Sequence, residues 1–122
     1  NAAGVAALCR TVDELLKMRR LLVVMGMVRD KDYARCIYEM ARRADVFFAC
    51  APEEDARALP AQTAAAIAEQ HCPEVYDCHT AEHAISMALK KAAPRDCVLL
   101  CGSLYLIGEA EKILRARQKT AE

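Results

Sequence analysis

The sequence predicts a three-layer α/β/α domain with a mostly parallel sheet. Short, continuously apolar runs alternate along the chain with segments in which apolar residues recur at helical spacing. A strand that is covered on both faces needs such a run, whereas a half-exposed strand would alternate apolar and polar residues. Strands that alternate with helices of this length imply right-handed crossovers, a parallel sheet and helices on both faces. The 122 residues suffice for one such domain.

Nine elements are predicted in chain order from these runs and spacings. The predicted helices cover residues 3–19, 30–43, 60–70, the segment after Thr80, and 104–118, and the predicted strands cover 21–28, 45–50, 75–78 and 97–101. Pro60 suits the first position of its helix, and Thr80 can cap the next one. This order is typical of a Rossmann-like domain. Because the chain opens on a helix, we expect that a first strand has been truncated.

Charge and hydropathy argue against several classes of partner. Seventeen basic and seventeen acidic side chains cancel, and they form no basic stripe. We therefore expect no nucleic-acid partner and no anionic membrane partner. The longest apolar runs are about eight residues, whereas a membrane-spanning helix needs about twenty. No signal-peptide pattern is visible, so we expect a cytoplasmic setting.

The seven cysteines are predicted to be core thiols and not a disulfide framework. Their number is odd, and four of them lie inside apolar runs. A reduced cysteine behaves as a small hydrophobe that is often buried. Unpaired thiols in this number are typical of a reducing compartment.

A cysteine and histidine cluster is the one candidate metal site, formed by Cys72, Cys78, His79 and His83. These are zinc-ligand residue types, but their spacing matches no standard zinc motif. Thr80 also places a helix start between the two histidines. We therefore favour a buried Cys78 with surface histidines, and we expect no metal ligand in this chain.

Two polar residues are expected at one rim of the sheet, because parallel strands all end at the same edge and ligands bind outside those ends. Lys31 and Ser103 follow the first and last predicted strands. An ammonium group, a hydroxyl group and helix N-terminal amides together suit a carboxylate ligand. The alternative is that Asp30 and Ser103 only cap helices while Lys31 is solvated. Both interpretations are open on these residues alone.

Nucleotide-binding motifs are absent from the sequence. Of its four glycines, none falls in a GxGxxG or GxxxxGK[ST] arrangement. The chain therefore carries no phosphate-binding loop of its own.

Three segments carry a resemblance to a known family. They are 26–32 (Gly-Met-Val-Arg-Asp-Lys-Asp), 57–60 (Arg-Ala-Leu-Pro) and 102–109 (Gly-Ser-Leu-Tyr-Leu-Ile-Gly-Glu), of which the last is the most specific. With them the chain resembles the C-terminal domain of folylpolyglutamate synthase and the related bifunctional dihydrofolate synthase, in the Mur ligase superfamily. Residues 1–4 also resemble the end of the family's Asp-Gly-Ala-His-Asn-Pro-Ala-Gly segment. The resemblance covers nearly all of residues 1–122 and identifies them as one glutamate ligase domain.

The resemblance implies an ATP-dependent amide ligase. Such an enzyme phosphorylates a carboxylate, and an incoming amino group then displaces the phosphate. For the folate branch, the acceptor is a folate and the nucleophile is the α-amine of L-glutamate. By similarity, Lys31 and Ser103 face the carboxylate of the glutamate, Asp30 and Tyr105 are further candidates for its binding, and Asn1 is a candidate for cofactor contact. The cofactors would be ATP and magnesium.

The ATP-binding domain of such a ligase would lie upstream of residue 1. The resemblance therefore implies that these 122 residues alone bind no cofactor, contain no catalytic residue and are inactive.

Two alternative interpretations of the sequence have to be weighed. One is the C-terminal domain of a peptidoglycan-precursor Mur ligase, against which the segment 103–109 argues. The other is a non-catalytic α/β binding module.

Overall fold

Five helices and four strands alternate along the chain in the computed structural model, which describes residues 2–15, 19–53, 55–102 and 104–121. At 2–6, 15, 104, 105, 120 and 121, only the backbone is described. The helices are α1 (Ala2–Leu15), α2 (Tyr33–Ala41), α3 (Ala61–Ala68), α4 (Ala81–Lys91) and α5 (Leu104–Ala121). The strands are β1 (Leu21–Gly26), β2 (Val46–Ala51), β3 (Val75–Thr80) and β4 (Cys97–Gly102).

The four strands form one sheet in the order β3-β2-β1-β4, and every pair is parallel. This confirms the predicted α/β class. β1 lies in the middle and is fully buried along its length, which explains its continuous apolar run. β3 lies at one edge and is largely half-exposed, which explains its weaker apolar pattern.

Helices cover both faces of the sheet, as predicted. The side chains of Val23, Met25 and Phe47 point to the first face, where they pack with residues of α1, α2 and α3. Leu22 and Phe48 alternate with them and point to the second face, which α4 and α5 cover. The domain thus has two apolar layers separated by the sheet.

All seven cysteines are unpaired, and all but Cys97 are buried. The prediction of core thiols is confirmed. Burial raises the pKa of the Cys50 and Cys101 thiols to about 12, so the neutral form is the one that the core holds.

The boundaries of some elements differ from those predicted. Pro60 is the N-cap residue of α3 and not its first helical residue, since its ψ of 138° is extended. β1 ends at Gly26, two residues early, because Val28 instead pairs with Ala58 in an isolated antiparallel bridge. Thr80 caps α4 as predicted, with its hydroxyl accepting the N–H of His83 at 3.2 Å.

Ion pairs join the loops at the amino edge of the sheet, opposite the rim. Arg20, just before β1, donates to the Asp96 carboxylate at 3.0 and 3.1 Å and to the Lys91 carbonyl at 3.1 Å. The Asp96 carboxylate also accepts the N–H of Ala93 at 2.8 Å. In the part of the chain that the structure describes, no helix combines the length and apolarity needed to span a membrane.

Candidate functional site

The turns that carry Lys31 and Ser103 leave neighbouring strands at the carboxyl edge of the sheet. β1 and β4 pair along their whole length, and Gly26 is the register partner of Gly102 at their carboxyl ends. From β1 the chain moves outward to β2, whereas from β3 it crosses back to β4 on the other side of β1. This reversal is a topological switch point, where open α/β sheets bind ligands.

Two glycines allow the strand ends to approach closely at this point. Gly102 has a φ of +122°, which side chains rarely tolerate. A Cβ at Gly102 would overlap the carbonyl oxygen of Gly26, and a Cβ at Gly26 would lie 2.8 Å from the carbonyl oxygen of Cys50. The backbone of three adjacent strands is therefore packed tightly beneath the candidate site.

Lys31 presents an exposed ammonium group at the rim. Its backbone carbonyl accepts the N–H of Tyr33 at 2.7 Å, which closes the turn into α2. Among the described residues, its side chain has no hydrogen-bond or ion-pair partner. The cation is thus available to a ligand.

The two aspartates beside Lys31 have different roles. Asp32 is the N-cap of α2, where its carboxylate accepts the N–H of Arg35 at 3.4 Å. Asp30 instead lies 3.5 Å from the guanidinium of Arg57, and both side chains are more than half exposed. An exposed pair of this kind contributes little stability. Asp32 is therefore the helix cap, and the alternative in which Asp30 caps a helix does not hold, because α2 begins at Tyr33.

The loop between β2 and α3 is tied to the turn that carries Lys31. Arg29 donates its N–H to the carbonyl of Arg57, and Leu59 donates its N–H to the carbonyl of Met27, each at 2.8 Å. The guanidinium of Arg29 also reaches the carbonyl of Ala56 at 3.1 Å. Residues 57–60 are one of the three segments that carry the family resemblance. Neither that resemblance nor the apolar pattern of the sequence indicated that they pair with this turn.

The remaining sequence candidates lie at the limits of the described structure. Ser103 and Asn1 lie outside the described residues. Tyr105 lies in the first turn of α5, where only the backbone is described. Their assignments as glutamate or cofactor contacts stay predictions, as do those of Lys31 and Asp30.

The cysteine and histidine cluster is divided by the sheet. Cys72 packs into the first face and Cys78 into the second. His79 and His83 are exposed, and one ring nitrogen of His83 lies 3.1 Å from the carbonyl oxygen of Cys78. No group of three or more histidine, cysteine, aspartate or glutamate side chains in the described ranges could hold a metal ion.

A family model for the Mur ligase, glutamate ligase domain matches residues 1–104. This chain belongs to that family. The predicted resemblance is confirmed, and in this chain the strand-to-helix turns lie on one rim of a parallel sheet.

Relatives of this glutamate ligase domain carry folate-ligase names. The chain is 29% identical over 104 residues to the dihydrofolate synthase/folylpolyglutamate synthase of Escherichia coli, covering 85% of this chain and 24% of that protein. It is 33% identical over 111 residues to a probable bifunctional folylpolyglutamate synthase/dihydropteroate synthase of Halobacterium salinarum, covering 90% of this chain and 13% of that one. The chain thus spans a quarter or less of the length of these relatives.

A solved structure shares the fold of the domain. It is E. coli FolC in complex with DHPP and ADP, with a TM-score of 0.84 at 24% identity, covering 97% of this chain and 27% of that one. The sequence of this domain has no GxGxxG or GxxxxGK[ST] arrangement, and the described ranges hold no cluster of metal ligands.

Proposed function

We propose that this chain is the glutamate-binding domain of a longer ATP-dependent ligase that adds L-glutamate to folates. The enzyme would be a folylpolyglutamate synthase, alone or combined with dihydrofolate synthase. The observation that carries the proposal is the exposed ammonium of Lys31, which has no partner among the described residues, at the switch point of a glutamate ligase domain. The names of the relatives support folate as the acceptor.

The role of the domain in this reaction is to bind and orient the nucleophile. The α-amine of glutamate attacks an acyl phosphate, the new amide bond forms and inorganic phosphate leaves. Lys31 binds a carboxylate of the glutamate and Ser103 donates a hydrogen bond to it, so that the free amine points at the acyl phosphate. This is catalysis by positioning and involves no proton transfer by either side chain. Asp30 and Tyr105 border the same ligand.

The nucleotide and magnesium would be held by another domain of the longer protein. Asn1, next to the first helix, is the candidate on this chain for contact with the nucleotide. Without the phosphate-binding elements, the 122-residue chain has no electrostatic clamp for phosphoryl transfer and is inactive alone. Six buried, unpaired thiols favour a cytoplasmic setting.

Steady-state kinetics of the longer ligase test the proposal. Lys31→Ala removes a charged hydrogen-bond donor, a loss of roughly 1.5–3 kcal/mol. We expect the KM for glutamate to rise about ten- to a hundredfold, with the KM for ATP nearly unchanged. Ser103→Ala should act in the same direction. Lys90→Ala is the matched control, since Lys90 is an exposed lysine near the end of α4, at the opposite edge of the sheet.

Three outcomes would each contradict one part of the proposal. If the KM for ATP rises while that for glutamate is unchanged, Lys31 serves the nucleotide. If Lys31→Ala lowers the melting temperature of the domain, its role is structural. If the wild-type ligase accepts a peptidoglycan precursor in place of folate, the acceptor is wrong although the site stands.

A further inference from the structure

The loop between β2 and α3 contacts both the β1–α2 turn, which carries Lys31, and the helix α5. On one side it is bridged to the β1–α2 turn through the N–H groups of Arg29 and Leu59, as described above. On the other side, the N–H of Glu53 donates to the Glu109 carboxylate of α5 at 3.1 Å. Glu109 lies within α5, so this hydrogen bond ties α5 to the same loop.

The far half of the loop is held by internal hydrogen bonds. The carboxylate of Asp55 accepts the N–H of Arg57 at 3.0 Å, and its carbonyl accepts the N–H of Ala58 at 3.0 Å. Only 6% of the Asp55 side chain is exposed, and Leu59 is 3% exposed. Residues 55–59 are thus held to one another and, through Arg57 and Leu59, to the β1–α2 turn.

We propose that Glu109 is a positioning residue of the glutamate site, acting through this loop. It contacts neither the proposed ligand nor Lys31. Its carboxylate fixes the β2–α3 loop relative to α5, and the loop in turn fixes the turn that carries Lys31. The position of the Lys31 turn relative to α5 thereby depends on the Glu109 carboxylate. The effect that we expect on the KM for glutamate rests on the proposed function. The effect that we expect on the stability of the loop rests on the structure alone.

The mechanical consequence is tested by amide hydrogen exchange on the 122-residue chain. In Glu109→Ala, the amides of Glu53 and Arg29 should exchange several times faster than in the wild type. Glu109→Gln keeps an oxygen that accepts a hydrogen bond and should restore the slow exchange. Glu111→Ala is the matched control, because Glu111 lies on the same helix and pairs only with Arg115 among the described residues.

The kinetic consequence is tested in the longer ligase. Glu109→Ala should raise the KM for glutamate up to about tenfold, the factor expected for one lost hydrogen bond, and leave that for ATP unchanged. Glu109→Gln and Glu111→Ala should both behave as the wild type. A loss of ATP affinity in Glu109→Ala would contradict the proposal.

The outcomes separate this proposal from the proposed function. Unchanged exchange at Arg29 in Glu109→Ala overturns the coupling, whatever Lys31→Ala does. Faster exchange that extends equally to core amides such as Val24 and Phe48 shows a general structural role and also overturns it. If Lys31→Ala leaves glutamate use intact, the proposed function fails, while faster local exchange in Glu109→Ala would still support the coupling between α5 and the β1–α2 turn.

Discussion

The carbonyl oxygen of Gly26 occupies the space that a side chain on Gly102 would need. The two residues are register partners at the ends of β1 and β4, directly below the turns of the candidate site. Gly102 also has a positive φ, of +122°. Both the close approach and the backbone conformation therefore require glycine here.

Gly102→Ala should destabilise the domain by at least about 2 kcal/mol, because it combines a strained backbone with a steric overlap. Gly108→Ala is the matched control. Gly108 lies within α5, and a Cβ there would meet no atom within 4 Å. It should stabilise the domain by about 0.5–1 kcal/mol, since glycine is a poor helix former.

Urea unfolding of both variants measures the two changes in the free energy of unfolding. Equal effects of the same sign would contradict the argument. Such a result would mean that the strand ends separate freely and that the switch point is not rigid.

The sequence predicted the fold well where a single physical requirement dominates. The continuous apolar run at 21–28 predicted an inner strand, which the structure has at Leu21–Gly26, and the cap at Thr80 follows from its side chain. Local patterns do not contain the strand order, because the adjacency of β1 and β4 depends on where the crossover after β3 returns. The helix start at Tyr33 and not at Asp30 was equally hidden, since Asp30 and Asp32 are both good caps.

The candidate site could be predicted only in part. Lys31 was selected as a candidate because the ends of parallel strands share one rim, which is a property of the topology; its role in binding stays a prediction. Arg57 was found only as part of a family segment. Its pairing with Asp30 depends on the conformation of the β2–α3 loop, which no periodic pattern encodes. The link from Glu109 to Glu53 joins residues 56 positions apart, so no local signal could reveal it.

The Arg20 and Asp96 pair predicts a loss of stability in acid. Hydrogen bonds from the Ala93 N–H and from the Arg20 guanidinium hold the pKa of Asp96 below its usual range. The stabilisation is thus present above the unfolded-state pKa, about 3.9, and is lost as the pH falls through the folded-state value. Asp96→Asn should therefore lower stability most near neutral pH, with a difference from the wild type that shrinks below about pH 4.

Unfolding by urea between pH 7 and pH 3 measures this difference. Glu111→Gln serves as the control, because Glu111 is largely exposed on α5 and takes no part in the Arg20 and Asp96 pair. If the free energies of unfolding of Asp96→Asn and the wild type instead differ by the same amount at every pH, that result would contradict the prediction, because the charge of the carboxylate would then contribute nothing.

The buried thiols predict a second decline of stability in alkali. Burial raises the pKa of Cys50 to about 12, whereas a cysteine in an unfolded chain ionises near 8.5. Above about pH 8.5, the unfolded state releases a proton that the folded state keeps, so the free energy of unfolding falls by about 1.4 kcal/mol per pH unit for each such thiol. The stabilisation is complete below pH 8.5 and is lost as the pH rises through the folded-state value.

Cys50→Ala removes one of these thiols and should make the decline between pH 9 and pH 11 shallower by that amount. Other groups titrate in the same range, but they are common to both proteins and cancel in the comparison. The variant will start from a lower stability at pH 7, because a buried side chain has been shortened; the slope is therefore the quantity to compare. Parallel slopes for Cys50→Ala and the wild type would show that the thiol is solvated in the folded chain, contrary to its position between the sheet and the helices of the second face.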